Sequence, residues 1–397
     1  MRRACVSYNQ DGACFAVARY ASTSPDDVHA GLQGGGDVSS SRHSDGGGFS
    51  VYNVVPFRET FGRTFRDGGV GRAEMLFRCN ILALVGGGDD PKFDPRKVMI
   101  WDDHQGRCIG ELAFKVPVRG VRLRRDKVIV ALAHKVFVYN FSDLRLESQM
   151  DTSVNPRGLC VISPTTERTV MACPGLNTGQ VRVELFDLGI TKFISAHESA
   201  LACLALSADG ELLATASEKG TLIRVFDTHS GALMHEFRRG SDKANVHSLA
   251  FNAKKDLLGL TSDKGTAHVF RVPLAPTAGA ARAAASPAPK PSSSSTTTNG
   301  TSPPIHRASS SSLRVMKKFL PKYFSSEWSL AHFRLPSAAR ALITFPLADP
   351  DSCVVVSDAG DYVRLIFDPH NGGAMTCVES HAFHSPRSDA DVDARPT

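Results

Sequence analysis

Two adjacent arginines, Arg238 and Arg239, combine a residue type and a spacing that suit phosphate binding. A guanidinium group is planar and can donate two parallel hydrogen bonds to a phosphate. Successive side chains of an extended strand point to opposite sides, so each arginine could reach a separate anionic site. In isolation, the sequence Phe-Arg-Arg-Gly at 237–240 is equally compatible with a solvated basic turn. The pair predicts a two-sided phosphate binder only if its surroundings supply further ligands.

Two copies of the sequence Ser-x-Lys-Gly-Thr, at 217–221 and 262–266, lie on either side of the arginine pair. Each copy offers hydroxyl groups, an ammonium group and backbone N–H groups exposed by glycine, which together suit a phosphate. Taken singly, the lysines fit ordinary turns and the threonines fit strands. The nearby His197 and His268 fit core histidines bonded to backbone groups. Only the grouping of these residues around the arginines favours an anion site.

The segments that must position these residues are short strands with a repeated pattern. Each copy has a basic or small residue, alternating aliphatic residues and an aromatic residue, in most copies followed by Asp or Asn. The aromatic residue stands at positions 52, 101, 139, 186, 226, 270 and 367, so successive copies are 49, 38, 47, 40, 44 and 97 residues apart. All but the last spacing are near the roughly 40–45 residues of a four-stranded propeller blade. Seven copies predict an all-β fold, a seven-bladed β-propeller.

Three segments of biased composition interrupt or follow this repeat. We expect 275–318 to be a low-complexity loop insert in the sixth blade, because it is rich in Ala, Pro, Ser and Thr. Without the 38 residues of 275–312, the last spacing falls from 97 to 59. The Gly-, Ser- and Asp-rich segment 21–48 predicts a disordered insert in the first blade, and 386–397 a disordered tail. The chain over 1–385 is otherwise expected to form a single propeller.

Composition and charge are those of an ordinary globular protein, with 42% hydrophobic residues, 22% charged residues and a net charge of +6. The positive charge favours anionic partners without distinguishing nucleic acid from a membrane surface. Nine cysteines with no C-x-x-C pair indicate reduced, mostly buried thiols rather than disulfides or a zinc site. The N-terminal residues lack the apolar core of a signal peptide, and no stretch reaches the roughly 18 apolar residues of a membrane span. Any membrane contact is therefore expected to be peripheral.

Several short motifs together resemble the PROPPIN family, seven-bladed propellers of the autophagy pathway that bind phosphoinositides. The resemblance covers most of the chain. Its motifs are Asn-Gln-Asp at 9–11, Cys-Phe-Ala-Val at 14–17, Leu-Val-Gly-Gly-Gly at 84–88, Val-Met-Ile-Trp-Asp at 98–102, Phe-Arg-Arg-Gly at 237–240 and Leu-Pro-Lys-Tyr-Phe-Ser-Ser-Glu-Trp-Ser at 320–329. The resemblance implies ligands phosphorylated at inositol position 3, namely phosphatidylinositol 3-phosphate and phosphatidylinositol 3,5-bisphosphate.

The resemblance also assigns residues to two lipid-headgroup sites, one for each arginine of the pair. Site 1 would comprise His197, Ser217, Lys219, Thr221, Arg224 and Arg238. Site 2 would comprise Arg239, Ser262, Lys264, Thr266 and His268. The arginine pair would then form the wall between the two sites.

A membrane-facing loop is expected at the end of the insert in the sixth blade. Leu313, Met316 and Leu320 fit one face of a short helix, and together with Phe319 they interleave with four basic residues. Pro321 limits any helix to the residues before it. The alternative is that the chain from Phe319 onward returns to the blade core. The family uses a long loop of this blade for membrane insertion, which agrees with this placement.

Other chemistries have little support in the sequence. The glycine-rich segment 86–91 lacks the Gly-Lys-Ser/Thr of a P-loop, so we expect a tight turn. The basic run 119–127 has no interleaved aromatic residues for stacking on nucleic acid, and we expect a solvated strand and turn. No nucleophile, metal-ligand or cofactor constellation is recognisable, so we expect no enzyme and no cofactor or metal site.

The main functional hypothesis is a peripheral membrane effector that binds 3-phosphorylated phosphoinositides and recruits autophagy proteins. By resemblance, it would be cytoplasmic, monomeric in solution and associated with autophagosome-precursor and endosomal or vacuolar membranes, and it would bind no nucleic acid. The first alternative is a propeller that binds only proteins, since a fold does not determine a function. An enzyme acting in the propeller channel is the second alternative.

Overall fold

The computed structural model describes residues 2–21, 47–273 and 327–383. The chain divides into two units, one consisting of Met1–Val272 with Trp328–Thr397 and the other of Pro273–Glu327. Of the second unit, only its first and last residues are described. The described part of the first unit consists of β-strands, turns and one short 3-10 helix, Phe186–Leu188.

Seven sheets, here called blades 1 to 7, contain the thirty strands of the described residues. Blade 1 contains β1 (Arg2–Tyr8), β2 (Cys14–Ala21), β3 (Gly47–Asn53) and β4 (Arg58–Phe65). Blade 2 contains β5 (Val70–Met75), β6 (Ile81–Gly86), β7 (Lys97–Asp102) and β8 (Arg107–Ala113). Blade 3 contains β9 (Gly120–Leu123), β10 (Lys127–Ala131), β11 (Lys135–Asn140) and β12 (Leu146–Asp151). Blade 4 contains β13 (Val161–Ile162), β14 (Val170–Pro174), β15 (Gln180–Leu185) and β16 (Ile190–Ser195).

The last three blades follow the same order. Blade 5 contains β17 (Leu201–Leu206), β18 (Leu212–Ser217), β19 (Leu222–Asp227) and β20 (Leu233–Arg238). Blade 6 contains β21 (Val246–Phe251), β22 (Leu257–Ser262), β23 (Thr266–Arg271) and β25 (Ala331–Arg334). Blade 7 contains β26 (Ala341–Thr344), β27 (Ser352–Ser357), β28 (Asp361–Ile366) and β30 (Thr376–Ala382). Two short strands remain, β24 (Glu327–Trp328) and β29 (Gly373–Ala374), of which β29 pairs in parallel with β25.

The first strand of each blade lies next to the axis of a ring. These strands contact one another from blade to blade: β1 contacts β5 and β26, β5 contacts β9, β13 contacts β17, and β21 contacts both β17 and β26. Each first strand also forms one edge of its own sheet. The fourth strands, including β20 with the arginine pair at its end, therefore lie at the outside of the ring.

The hydrophobic core is divided into seven clusters, one at each boundary between neighbouring blades. An open row of seven sheets would have six such boundaries, and the seventh cluster joins blade 7 to blade 1. The seven-bladed β-propeller predicted from the aromatic repeat is thus confirmed. Both faces of the second strands are buried against neighbouring blades, which accounts for their nearly continuous apolar sequences. The third strands alternate between buried and partly buried residues.

The boundary between blades 7 and 1 closes the ring through side chains. The backbone N–H of Val6 donates to Asp358 Oδ1 at 3.0 Å, and the hydroxyl of Tyr362 donates to the carbonyl oxygen of Val54 at 2.7 Å. Phe15 stacks on Tyr52 with ring centroids 5.1 Å apart within the same cluster. Every strand of blade 1 comes from the N-terminal part of the chain, and every strand of blade 7 from the C-terminal part. The seam therefore involves no exchanged strand within the described residues.

The aromatic repeat marks the third strand of every blade. Positions 52, 101, 139, 226 and 270 lie in β3, β7, β11, β19 and β23, and positions 186 and 367 directly follow β15 and β28. Of the predicted first insert, residues 21, 47 and 48 belong to strands, and 22–46 lie outside the described residues. The predicted sixth-blade insert 275–318 and tail 386–397 also lie outside the described residues.

The basic run 119–127 is only in part the solvated face expected from its sequence, since Arg119 and Arg125 are exposed but Arg124 is not. Its strand, β9, is the innermost strand of blade 3, and the side chain of Arg124 is buried, with 3% of the residue exposed. Arg124 donates from Nη2 to the carbonyl oxygen of Thr165 at 2.8 Å. A run of charges predicts solvation only on an outer strand, and the sequence pattern does not show which strand of a blade faces the axis.

The cysteines are free and mostly shielded from solvent, as the sequence predicts. All nine are free thiols, and five of them are buried. Among the described residues, no helix is long and apolar enough to cross a membrane. Nor does that part of the chain contain a group of three or more His, Cys, Asp or Glu side chains arranged to hold a metal ion.

Candidate functional site

The strands β19 and β20 place the two arginines on opposite faces of blade 5. Phe237 and its partner Ile223 belong to the cluster between blades 5 and 6, so this face of the sheet is directed towards blade 6. Arg238 pairs with Leu222 and is the next residue along β20, so alternation directs it towards blade 4. Arg239 follows directly and has the same parity as Phe237. Its guanidinium lowers the pKa of His268 in blade 6, after the larger effect of burial.

Site 1 is built on the blade 4 side of blade 5. The Nε2 atom of His197, which lies in the loop between β16 and β17, is 2.9 Å from Thr215 Oγ1. Arg224 donates from Nη1 to the carbonyl oxygen of Ala196 at 2.6 Å and from Nε to Glu236 Oε2 at 2.9 Å. Burial, followed by the charge of Arg224, lowers the pKa of His197 to about 4, so this imidazole is neutral at pH 7. The structure thus brings His197 and Arg224 together through contacts with the same strands.

The remaining predicted residues of site 1 are less closely associated. Ser217 is buried at the end of β18, two residues after Thr215 and therefore on the same face. Lys219 is exposed, and its Nζ lies 3.4 Å from Glu198 Oε2. Thr221 lies in the turn before β19, where its carbonyl oxygen accepts a hydrogen bond from the backbone N–H of Arg239 at 2.9 Å. Site 1 therefore contains two carboxylates that compete with a phosphate for its cations.

Site 2 is built on the face of blade 6 directed towards blade 5. Ser262 pairs with Thr266, and His268 pairs with Leu260, which belongs to the cluster between blades 5 and 6. The Oγ atom of Ser262 is buried and has no hydrogen-bond partner among the described residues. The Nδ1 atom of His268 is 3.3 Å from Ser329 Oγ. Burial, followed by the charge of Arg239, lowers the pKa of His268 to about 4, so it too is neutral at pH 7.

Arg239 connects site 2 to the backbone of blade 5. Its Nε atom donates to the carbonyl oxygen of Gly220 at 2.7 Å, and its Nη2 atom donates to the carbonyl oxygen of Asp242. The residue is buried, and burial lowers its pKa, although a guanidinium remains charged at any physiological pH. Lys264, at the turn of blade 6, is exposed and has no hydrogen bond or ion pair within the described ranges. The cations of site 2 therefore form fewer ion pairs with carboxylates than the cations of site 1 do.

The two Ser-x-Lys-Gly-Thr segments form similar turns, but the strands that flank each turn pair in different registers. Gly220 donates to the carbonyl oxygen of Ser217 at 2.9 Å and Gly265 donates to that of Ser262 at 3.1 Å. Both glycines have left-handed backbones, with φ of 62° and 64°. A side chain at Gly220 would place its Cβ 1.8 Å from the carbonyl oxygen of Ala244. Thr266 lies on its strand opposite Ser262, whereas Thr221 precedes β19, so only Thr266 has a strand position facing its site.

Sequence reasoning missed four residues beside these sites. Thr215 and Glu236 bind His197 and Arg224, and His332 and Arg334 lie on β25 directly opposite His268 and Thr266. The signal for Thr215 was its position two residues before Ser217, which places both on one face of a strand. His332 and Arg334 could have been found from the alternating sequence His-x-Arg in the short segment after the insert. Arg334 adds an exposed cation to site 2 that the resemblance did not assign.

Three neutral histidines make the stability of the propeller depend on pH. The pKa values of His197, His247 and His268 are each lowered to about 4, in every case mainly by burial. The unfolded chain takes up protons at these residues near pH 6.5, whereas the folded chain does not until about pH 4. The contribution of these histidines to the free energy of unfolding is therefore fully present above pH 6.5. It is lost as the pH drops towards 4, by about 1–2 kcal/mol per histidine at pH 5.

Denaturation midpoints at pH 7.5 and pH 5 measure this effect. We expect the double variant His197→Gln, His268→Gln to show a smaller loss between the two pH values than the unmodified protein. His229→Gln changes an exposed histidine and should leave the loss unchanged. Equal pH dependence in the double variant and the unmodified protein would contradict the assignment of these histidines.

Comparison with known proteins agrees with the architecture of the ring. The PROPPIN family model matches residues 69–286. Autophagy-related protein 18e of Arabidopsis thaliana is 37% identical over 341 residues, which cover 85% of this chain and 83% of that protein. SVP1-like protein 2 of Schizosaccharomyces pombe is 34% identical over 268 residues, which cover 67% of this chain and 66% of that protein.

Solved structures show the same fold at lower sequence identity. Hsv2 of Kluyvelomyces marxianus has a TM-score of 0.67 at 21% identity, covering 96% of this chain and 99% of that one. KlAtg21, solved in complex with the coiled coil of AgAtg16, has a TM-score of 0.68 at 22% identity, covering 96% of this chain and 100% of that one. The family match over more than half of the chain, together with relatives above 30% identity, shows that this protein belongs to the PROPPIN family.

Proposed function

We propose that this protein is a non-enzymatic, peripheral membrane effector of autophagy. Its ligands are phosphoinositides phosphorylated at inositol position 3, namely phosphatidylinositol 3-phosphate and phosphatidylinositol 3,5-bisphosphate. Arg238 serves one headgroup site with residues facing blade 4, and Arg239 serves the other with residues facing blade 5. The membrane-bound propeller then recruits autophagy proteins to the same surface.

The orientation of the arginine pair is the observation that carries this proposal. Arg238 ends β20 and Arg239 follows it, so alternation directs the two side chains to opposite faces of the blade. Each of these faces carries a neutral histidine and a serine or threonine from a neighbouring element. A neutral imidazole can donate one hydrogen bond to a phosphate oxygen while its other nitrogen accepts one from a hydroxyl. A guanidinium supplies the charge and the planar pair of donors. This combination suits a phosphate monoester better than it suits an acidic peptide, which offers no tetrahedral anion.

Two modest sites on one rigid ring are sufficient for stable membrane attachment. Each basic residue near an anionic leaflet contributes about 1 kcal/mol, so one headgroup site alone holds the protein weakly. Once one site is occupied, the second binds its lipid as an intramolecular step, and avidity exceeds either affinity by about 100-fold or more. Leu313, Met316, Phe319 and Leu320, which lie outside the described residues, would add apolar insertion into the bilayer.

Recruitment of a coiled-coil protein fits the relationship to KlAtg21, which was solved with the coiled coil of AgAtg16. The lipid-binding strands lie on the outer side of blades 5 and 6, so the remaining blades are available to a protein partner while the ring is attached to a membrane. A propeller that binds proteins only remains the competing function. It differs in a measurable way, because it predicts partner binding without lipid binding.

Liposome flotation tests the proposed ligand directly. The full chain is mixed with phosphatidylcholine vesicles containing phosphatidylinositol, its 3-phosphate, its 4-phosphate or its 3,5-bisphosphate. We expect flotation with the 3-phosphate and the 3,5-bisphosphate, little with the other two, and weaker flotation as salt is raised. A variant with serine in place of Leu313, Met316, Phe319 and Leu320 should keep this lipid preference and float less completely.

Two results would overturn the proposed function. Equal flotation with all four lipids would show attraction to charge alone, without recognition of the 3-phosphate. No flotation with any of them, in a protein that still binds an autophagy partner, would favour the protein-only function. If the serine variant floated as well as the unmodified chain, the membrane-loop assignment would fail while the headgroup sites would stand.

A further inference from the structure

Four arginines from different blades surround the axis of the ring. Arg72 lies on β5 and Arg122 on β9, two of the innermost strands. Arg340 directly precedes the innermost strand of blade 7, and Arg157 lies in the loop that leads to the innermost strand of blade 4. Neither site 1 nor site 2 uses any of them.

Contacts between blades that are not neighbours show that these groups face one central space. Arg157 Nη1 donates to Asn245 Oδ1 at 2.7 Å, which joins the entry loop of blade 4 to that of blade 6. Glu74 raises the pKa of Arg122 in blade 3, whereas the charge of Arg340 in blade 7 lowers it. Blades 3 and 7 are separated by three blades on one side of the ring and two on the other. This effect agrees with the positions of Arg122 on β9 and of Arg340 directly before β26, two strands next to the axis.

The charge of Arg72 affects the pKa values of two groups in other blades, Cys160 and Asp358. Burial raises the pKa of the Cys160 thiol in blade 4 to about 11, and the charges that counteract this include Arg122 and Arg72. Burial likewise raises the pKa of Asp358 in blade 7, and the charges that counteract it include Arg340 and Arg72. Arg72 lies two residues before Glu74 on β5, so alternation places both side chains on the same face of that innermost strand.

The positive charge around the axis is only partly balanced. Arg122 Nη1 lies 3.2 Å from Glu74 Oε2, and Arg340 Nη1 lies 3.2 Å from Asp358 Oδ2. Arg157 binds neutral oxygens, and the side chain of Arg72 has no hydrogen bond or ion pair among the described residues. A third carboxylate, Asp263, lies beside this group, because its Oδ1 accepts from the backbone N–H of Asn245 at 3.0 Å. Four guanidinium groups thus outnumber three carboxylates. Mutual repulsion in such a confined space favours an anion, because low-dielectric walls concentrate the field.

The groups also remain accessible to a ligand. The side chains of Arg122 and Arg340 are 42% and 43% exposed, although both lie at the centre of the ring. Side chains exposed at that position border an accessible space around the axis, here called the axial channel. The arginine pair of the lipid sites lies away from this space, because Arg238 is on the fourth strand of its blade, three strand spacings or roughly 14 Å from the first. Ser217 and Ser262 lie on second strands, which pair with the first strands and are nearer the axis.

We propose that the axial channel is a binding site for a small polyphosphate anion, held by Arg72 and Arg157 with support from Arg122 and Arg340. Guanidinium groups favour phosphate because their donors match two of its oxygens. The four arginines come from four separate blades, so a single phosphate does not meet them all, and a ligand with two or more phosphate groups does. The site lies outside the membrane-binding surface and can be occupied while the protein is attached to lipid.

Inorganic pyrophosphate is the probe that tests this site, by isothermal titration calorimetry without divalent cations. The measurement uses the full chain with Arg238→Thr and Arg239→Thr, which removes both lipid sites. We expect this protein to bind pyrophosphate, and the further changes Arg72→Gln and Arg157→Gln to weaken that binding about tenfold or more. Inorganic phosphate should bind about tenfold or more weakly than pyrophosphate, because it meets fewer of the arginines.

Matched controls separate the channel from general charge. Arg107→Gln and Arg145→Gln remove the same two charges from exposed positions and should leave pyrophosphate affinity unchanged. Arg72→Gln alone removes no hydrogen bond, so its fold should be retained, as circular dichroism will show. The proposal is overturned if the protein lacking both lipid sites fails to bind pyrophosphate, or if the channel variants bind it as tightly as the controls.

Discussion

The double variant Arg238→Thr, Arg239→Thr is expected to lose attachment to vesicles that contain phosphatidylinositol 3-phosphate, with apparent affinity reduced about 100-fold or more. Each substitution removes the charge and the planar donors of one site, so the intramolecular second contact disappears along with the first. Either single variant should bind through the site that remains, at the weaker affinity of one headgroup. Vesicle co-sedimentation over a range of lipid concentrations measures all three proteins.

The two single variants should differ in a direction set by the local charges. Arg224 and Lys219 in site 1 are each close to a carboxylate, whereas Lys264 and Arg334 in site 2 have none within ion-pair distance among the described residues. Asp263 and Asp242 act on Arg239 but form no ion pair with it among the described residues. Because the cations of site 2 form fewer ion pairs, Arg239→Thr should weaken binding more than Arg238→Thr. Arg239 also holds two backbone carbonyls, so Arg239→Lys, which keeps the charge, distinguishes charge from geometry.

A matched pair of surface changes completes this experiment. Arg107→Thr with Arg145→Thr removes two charges far from the lipid sites, and the Arg145 side chain is 86% exposed. This control should bind vesicles nearly as well as the unmodified protein. Full vesicle binding by the arginine-pair variant, or an equal loss in the control, would show that Arg238 and Arg239 have no specific part in attachment.

Replacing Phe237 by alanine is expected to lower the free energy of unfolding by about 3–5 kcal/mol. Phe237 is 1% exposed and packs in the cluster between blades 5 and 6, with its ring centroid 5.3 Å from that of Phe270. Deleting the ring removes its transfer free energy and leaves a cavity between two rigid sheets. Urea denaturation followed by the fluorescence of the buried Trp101 measures the loss.

Phe193 provides the control because it is the same residue type in an outer position. It is 52% exposed and contacts the guanidinium of Arg182 at 5.7 Å. Phe193→Ala should cost less than about 1 kcal/mol, because little apolar area leaves water at that position. Similar losses for the two variants would show that Phe237 in the cluster between blades 5 and 6 contributes no more to stability than an exposed phenylalanine.

The number and order of the blades could be predicted from the sequence because one strand of each blade carries a fixed pattern. The third strand alternates buried and partly buried residues and carries an aromatic residue just before its final Asp, as β7 and β19 show, so the pattern recurs once per blade. The alternation that separates Arg238 from Arg239 was also predictable, since it depends only on an extended backbone. Both inferences use local geometry that the sequence determines directly.

The parts that could not be predicted depend on contacts between blades. The two Ser-x-Lys-Gly-Thr segments are nearly identical in sequence, yet a difference in register leaves Thr221 in a turn and Thr266 on a strand. The position of Glu236 beside Arg224 follows from pairing across β19 and β20. The basic run at 119–127 reads as a solvated face because its sequence does not show that β9 lines the axis.

The seam between blades 7 and 1 has a consequence for how the chain folds. Most strands of a blade pair with strands that are close in sequence. The connecting loops are therefore mostly short, and pairing these strands has a small cost in loop-closure entropy. The contacts between Val6 and Asp358 and between Val54 and Tyr362 instead join residues 352 and 308 positions apart. Within the described residues no strand is shared across the seam, so every strand of blade 1 is synthesised before any strand of blade 7. The ring can therefore close only after blade 7 has been made, by docking of two separate sheets.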